Sequence, residues 1–368
     1  MQTVITGRRG LDIRRPSTDI LTARTKGNFK ETGIMDLLST LSFGEPLILM
    51  GDKGTGKTVS IEQWAAKKRA PFLRYGCTGE TSDRELLGGF VLKSLEETWF
   101  ALGVLPTAID VANEVGVCIL VLEEINALNA EAQKAVNSIA DYRREVALPN
   151  IGVVMRLDPV KTTPVDMKLA ALENDDDHPF GHITVVLDDG DKTYGFSVPK
   201  ALCKISADMV GSTLKAGTVV AEAAKLWVVG TMNPDYGGTY ELNEDFRSRF
   251  QFVEVSHLKA DDEMEVLLGV LGGRTSSQEK LFVRGLHALA EETRNGKLGY
   301  ALSTRDLEQT LKSYIQFSAA GHKEPLSLAL KMLEGKFPKR HLDDFRARVR
   351  SVFNNPAIDL TSVSLYDS

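Results

Sequence analysis

Eight consecutive residues, Gly51-Asp52-Lys53-Gly54-Thr55-Gly56-Lys57-Thr58, fit the pattern G-x-x-x-x-G-K-[ST]. Glycines at this spacing let backbone N–H groups curl around phosphate oxygens, and the N-terminus of the helix that follows the loop adds the positive end of its dipole. The ammonium of Lys57 would reach the outer phosphates and the hydroxyl of Thr58 would ligate a magnesium ion; Val59, next in the chain, is counted with Gly51 to Thr58 in the candidate nucleotide-binding stretch. A second pair of groups could act on what this loop holds. The apolar run "VCILVLEEIN", Val117 to Asn126, delivers Glu123 and Glu124 side by side. One carboxylate of such a pair can hold the metal through water and the other can orient an attacking water, so Glu123 is read on the metal side and Glu124 on the water side. A solvated acidic pair opening a helix is the alternative, since acids are favourable at a helix N-terminus.

Two further stretches carry candidates. In "VVGTMNPDYGGTYELNEDFRSRF", Asn233 stands just past a buried apolar run, where its amide could touch a γ-phosphate or a water; an Asn-Pro turn is the local alternative. Arg247 and Arg249 follow. Each could pair with an acid of its own chain or reach a neighbour's phosphate, which a guanidinium fits with two hydrogen bonds. In "LSTRDLEQTLKSYI", Ser303 and Asp306 predict a capping box, with a helix starting near Thr304. Arg305 then lies in the first turn, where a cation opposes the dipole, and phosphate binding would explain it.

The elements that must position these residues follow from periodicity. Leu47 to Met50 reads as a short buried strand, and "VSIEQWAAKKR" as a helix with Ile61, Trp64, Ala65 and Lys68 on one face. Pro71 to Cys77, Val117 to Asn126 and "KLWVVGTMNPD" read as further strands, and "VLPTAIDVANEVG" and "NAEAQKAVNSIADYRRE" as helices. Strands alternating with helices predict a parallel sheet with helices on both faces. "GGFVLKSLEETWFALG" predicts a hairpin around Lys93 to Glu97. Residues 157–224 interrupt the rhythm with an acidic run and the alternating pair "HITVVLDD" and "KTYGFSV", a β-rich insertion with a turn at "DDGD". The expected organisation is an N-terminal arm over 1–28, a large α/β domain over 29–255, a helical domain over 256–354 and a polar tail over 355–368.

Composition bounds the rest. A 368-residue chain with 43% hydrophobic residues can bury a large core. A net charge of −6 makes no global case for nucleic acid, which leaves the arm arginines Arg8, Arg9, Arg14 and Arg15 as the local one. Cys77, Cys118 and Cys203 lack ligand spacing and read as free thiols of a reducing compartment. No apolar run is long enough for a membrane span, and the expected location is cytoplasmic.

Taken together, the motifs resemble the AAA+ ATPases, in the MoxR-type and dynein-related branch that includes the CbbQ/NorQ-like proteins. "GDKGTGKT" matches Walker A, "CILVLEEINALNAEAQKAVNSI" matches Walker B and its helix, "GTMNPDYGGTYELNEDFRSRF" matches sensor 1 and the arginine-finger segment, and "STRDL" matches sensor 2. The resemblance spans about residues 30–350. It implies a P-loop three-layer αβα domain with a parallel sheet, followed by a small all-α lid. It implies ATP and Mg²⁺ as cofactors, Glu124 as catalytic glutamate, Asn233 as sensor 1 and Arg305 as sensor 2. Arg249, with Arg247 as partner or alternative, would be a finger acting in trans in a homo-oligomeric, hexameric ring. The branch usually has Asp where this chain has Glu123, which bears on hydrolysis more than on binding. Two hairpins, at Lys93–Glu97 and opened by Arg144 to Pro149, would face a pore or partner. The implied activity is ATP-driven remodelling of a protein partner, with a von Willebrand factor A-domain protein as one candidate. The alternatives are a nucleic-acid-directed motor of the McrB type and a nucleotide-gated assembly module with little turnover.

Overall fold

The computed structural model describes residues 5–6, 12–15, 22–26, 30, 33–92, 98–157, 224–234, 240–272, 276–295, 298–353 and 360, with the backbone of the strands lying between 161 and 221. The chain divides into two compact units. One comprises residues 1–25, 34–50 and 58–254, and the other 26–33, 51–57 and 255–368.

The first unit is built on apolar strands that can be buried only if both faces are covered. In chain order its opening elements are β1 (Ile5–Thr6), β2 (Asp12–Arg14), α1 (Gly33–Leu41), β3 (Leu47–Met50), α2 (Lys57–Lys68) and β4 (Phe72–Gly76). Then come α3 (Asp83–Leu86), β5 (Gly88–Leu92), β6 (Thr98–Leu102), α4 (Val104–Val115), β7 (Val117–Glu123) and α5 (Ala130–Ala140). The hairpin β8 (Glu145–Leu148) and β9 (Val153–Arg156) leads into the β-rich segment. That segment holds β10 (Lys161–Thr163), β11 (Lys168–Asp175), β12 (His182–Asp188), β13 (Thr193–Pro199), β14 (Cys203–Ile205) and β15 (Val219–Ala221). The unit closes with β16 (Lys225–Met232), α6 (Glu244–Arg247) and β17 (Gln251–Glu254).

Five strands form the central sheet in the order β17-β3-β16-β7-β4, and every pairing is parallel. Six of the seven β7 residues are buried, as a parallel strand covered on both faces requires. Helix α2 docks through Ser60, Ile61, Trp64 and Ala65, whereas Lys68 is exposed and leaves the predicted face. Trp64 meets Trp227 of β16 edge-on at 5.3 Å between centroids. The two indole N–H groups donate to Ser39 Oγ and the Glu45 carbonyl, at 3.0 and 3.2 Å, so neither is buried without a partner. The helix that opens on Lys57 is thereby fixed to the strand that ends before Asn233.

Two expectations change. Helix α5 stops at Ala140 and does not run to Glu145, because Asp141 turns extended and Arg144 adopts a positive φ of 51°. The N-terminal arm is partly built into the fold. β2 pairs in parallel with β6, Ile13 is buried, and Arg15 is 4% exposed between Asp110 and Glu114. Arg14 is paired with Asp12 and lies over the Trp99 ring at 4.4 Å. A guanidinium buried between two acids cannot face nucleic acid, so Arg15 leaves that reading; Arg8 and Arg9 lie outside the described residues. The β5–β6 hairpin forms in register from Gly88–Leu102 to Leu92–Thr98, while its predicted tip, Lys93 to Glu97, lies outside them. The inserted segment is β-rich, with β11, β12 and β13 in one antiparallel sheet; the "DDGD" turn lies beyond the described residues.

The second unit is helical after Val255: α7 (Ala260–Val270), α8 (Ser277–Arg294), α9 (Thr304–Ala319), α10 (Pro325–Glu334) and α11 (Leu342–Val352). Its core gathers Leu267, Leu286, Leu307, Leu330 and Phe345. Leu360, in the predicted tail, is buried there, and Lys331 Nζ donates to its carbonyl at 2.8 Å. Among the described residues no helix is long and apolar enough to cross a membrane. Cys77 and Cys118 are free and buried.

Candidate nucleotide site

The sheet order brings three chain segments to one edge. β16 lies between β3 and β7, with Met232 opposite Met50 and Thr231 opposite Glu123. The glycine loop follows β3, the two glutamates end β7, and Asn233 follows β16. In open α/β sheets ligands bind beyond these carboxyl ends.

The loop itself, Gly51 to Lys57, is wound tightly and packs within the second unit. Gly54 has φ +83°, and a Cβ there would lie 2.1 Å from Ser303 Cβ. Gly51 could not carry a Cβ either, because it would stand 2.1 Å from the Val255 carbonyl oxygen. Lys57 Nζ donates to the carbonyls of Gly51 and Asp52 at 2.6 and 2.7 Å. Beside the loop, His257 Nε2 is 3.3 Å from Asp52 Oδ2. Burial, with the positive charge of Arg294, holds His257 below its ordinary pKa. Asp52 and Lys53 are exposed, Thr55 is buried, and Thr55 Oγ1 donates to the Asp52 carbonyl at 3.0 Å.

Ser303 caps α9 as predicted. Its hydroxyl and its backbone N–H donate to Asp306 Oδ2 at 2.6 and 2.9 Å. Arg305 is exposed in the first turn. Behind this cap Glu263, 0% exposed, accepts from Arg294, Thr304 and His287. Burial pushes its carboxyl up, but hydrogen bonds from Arg294 and Thr304, with the charge of Arg294, outweigh burial and hold it below the usual range.

In the first unit, Thr58 and Val59 lie in the first turn of helix α2. Thr58 Oγ1 donates a 2.6 Å hydrogen bond to Glu123 Oε1, and Arg74 Nε donates to Glu123 Oε2 at 2.5 Å. Glu124 is exposed and sits in the left-handed region, at φ 52° and ψ 46°. For a residue with a Cβ that conformation costs about 1–2 kcal/mol. It ends the strand abruptly and turns the second carboxylate away from the β-sheet's alternation. Just beyond, Asn126 Nδ2 donates to the Asn233 carbonyl at 3.0 Å, and Tyr240 N–H donates to the Asn126 carbonyl at 2.8 Å. Asn126 thus ties the acidic turn to the Asn233 turn. Burial, followed by the charges of Glu123 and Glu124, pushes the Cys77 thiol up to about 12.

The two candidate finger residues differ. Arg247 ends α6, is exposed, and lines a cavity with Asn126 and Tyr240. Arg249 is engaged in its own chain: Nη1 donates to Asp245 Oδ1 at 2.6 Å, and Nη2 is 3.9 Å from Asp141.

The donor set suits a magnesium nucleotide. Thr58 and Glu123 offer adjacent hard oxygens, and a hydroxyl with one carboxylate is the sparse protein contribution Mg²⁺ takes when phosphates and water supply the rest. Among the described residues no group of three or more His, Cys, Asp or Glu could hold a metal by itself. Sequence reading did not single out Arg74, Asn126 or His257. Arg74 is one cation in the apolar "PFLRYGC", and only the pairing of β4 with β7 shows what it faces.

Residues 46–250 match the AAA domain family, dynein-related subfamily. The denitrification regulatory protein NirQ of Pseudomonas aeruginosa is 28% identical over 116 residues, 32% of this chain and 42% of NirQ. An uncharacterized protein of Staphylococcus haemolyticus is 26% identical over 132 residues, 36% of this chain and 50% of that protein. Midasin of Dictyostelium discoideum is 29% identical over 144 residues, 39% of this chain and 2% of midasin. The chain therefore spans half or less of the length of these curated relatives. Its fold, its ordered motifs and the family match over more than half its length make it a member of the AAA domain family, dynein-related subfamily.

Proposed function

We propose that this chain is a ring-forming ATPase that couples Mg²⁺-dependent ATP hydrolysis to remodelling or activation of a protein partner. The observation that carries the reading is the 2.6 Å contact between Thr58, at the start of the helix after the glycine loop, and Glu123, at the end of the acidic strand. Phosphate-loop hydroxyl and strand-end carboxylate are juxtaposed as a magnesium–triphosphate site requires.

The roles follow residue by residue. The backbone N–H groups of Gly51 to Gly56 and the ammonium of Lys57 bind the β- and γ-phosphates. Thr58 and Glu123 hold Mg²⁺, which when bound neutralises charge on the phosphate oxygens. Glu124 accepts a proton from the attacking water and orients it, and Asn233 positions that water against the γ-phosphate. Arg305 takes the sensor 2 role. Arg249, or Arg247 beside it, reaches the site of the next subunit in a hexameric ring. A protein-directed role draws support from the regulatory description NirQ carries. It also fits the burial of Arg15, which leaves the nucleic-acid alternative without that part of its basic surface.

The test is steady-state phosphate release against protein concentration, with ATP and Mg²⁺, alongside mass in solution. Specific activity that rises as monomer gives way to ring supports the reading. Rings that form with ATP while phosphate release stays near zero would replace it with the nucleotide-gated assembly module. Arg249→Ala should remove ring-dependent hydrolysis and spare ATP binding.

A further inference from the structure

The geometry points to Arg74 as a positioning residue: it clamps one oxygen of Glu123 so that the other faces Thr58, and so sets the Mg²⁺ requirement of nucleotide binding. This inference rests on the assignment of Thr58 and Glu123 to the metal.

The strand register explains how Arg74 gets there. β4 and β7 are parallel, with Arg74 opposite Val121 and Gly76 opposite Glu123. Residues two apart on a strand share a face, so Arg74 and Glu123 project on the same side, one step apart along neighbouring strands. Gly76 puts no side chain beside Glu123, and the arginine stem extends past it to place Nε 2.5 Å from Oε2. The division of labour is complete: Oε1 takes the Thr58 hydroxyl and Oε2 takes Arg74.

A glutamate has one more rotatable bond than an aspartate. Unclamped, its carboxylate would sample positions from which neither oxygen meets Thr58, and ordering it would oppose metal binding. An exposed ion pair by itself contributes little to stability, and Arg74 is 56% exposed. The pairing therefore matters for where the 18% exposed carboxylate points more than for the fold. An arginine suits the task because its planar fork fixes direction, which the ammonium of lysine does not.

The experiment uses the full chain and a fluorescent ADP analogue, titrated with Mg²⁺ and repeated in EDTA. Arg74→Ala should raise the Mg²⁺ midpoint about tenfold, the low end for loss of a group that orients a metal ligand. Affinity in EDTA and the melting temperature of the free protein should stay as in the parent. Arg74→Lys should fall between the two. Glu123→Asp withdraws the carboxylate from Arg74, so adding Arg74→Ala to it should shift the midpoint less than about twofold further. An unchanged midpoint in Arg74→Ala, or an undiminished shift in the Glu123→Asp background, overturns the role of Arg74. If Thr58→Ala and Glu123→Gln leave the Mg²⁺ dependence intact, the metal assignment itself falls, whatever Arg74 does.

Discussion

Ser303 caps the helix that begins at Thr304, and its Cβ occupies the space a side chain on Gly54 would need, 2.1 Å from the ideal Cβ position. One serine therefore serves as both helix cap and floor of the glycine loop. The partner atom lies next to backbone and cannot swing away. Gly54→Ala meets that clash and also a φ of +83°. It should destabilise the protein by about 2–4 kcal/mol, combining backbone strain with overpacking. Nucleotide affinity should fall with it, and a urea titration paired with binding of a fluorescent ADP analogue checks both. Wild-type affinity in Gly54→Ala would show that the loop does not need this floor.

Glu124 combines a strained backbone with an exposed carboxylate. Glu124→Gly should relieve the left-handed strain and raise unfolding free energy by about 1 kcal/mol. The same change should lower phosphate release by a factor of about 10²–10⁴, the usual weight of a general base. Glu124→Gln should lose activity similarly and gain no stability. A Glu124→Gly protein with parental turnover would remove Glu124 from the chemistry.

Glu263 accepts from Arg294, Thr304 and His287 in the helical unit, and its carboxyl is held below the ordinary value. A depressed carboxyl contributes stability above the unfolded pKa, about 4.3, and that contribution is lost as pH falls through the folded value. Glu263→Gln should therefore cost about 3 kcal/mol at pH 7, as for a broken buried pair. The gap between variant and parent should narrow below about pH 4. Urea midpoints across pH 3–8 measure this, and a gap independent of pH would refute it.

Arg15 is buried against Asp110 and Glu114. Burial raises the Asp110 carboxyl, and the Arg15 charge opposes that rise. Removing the guanidinium leaves Asp110 desolvated and unpaired, so Arg15→Ala should cost about 3 kcal/mol. Its effect on nucleotide affinity should be small. Unaltered urea stability would mean that the N-terminal strand is not held by this pair.

Much of the candidate site was legible in the sequence because it is local. The glycine loop needs eight consecutive residues, the capping box needs Ser303 and Asp306 three apart, and the acidic turn needs an apolar strand followed by Glu123 and Glu124. Each signal lies within one turn or strand, where spacing alone decides which groups meet. The end of α5 was misread because "DYRRE" is polar and helix-compatible, and a terminus set by the turn at Asp141 leaves no periodic trace. The arm was misread because its few apolar residues look solvated until β2 is placed beside β6.

The sequence by itself determined the class of chemistry: phosphate loop, strand-end acids, polar turn and helix cap, in order, with the strand–helix alternation that makes a parallel sheet. Only the tertiary structure decided which of these residues touch. Strand order is a long-range property, and nothing in "PFLRYGC" says that it will lie beside "VCILVLEEIN". That one pairing turns an ordinary surface arginine into the partner of Glu123. Likewise, only packing brings Ser303 under Gly54 across some 250 residues of chain. Side chains far apart in sequence meet where burial of apolar surface drives the elements together, and a linear pattern does not carry that register.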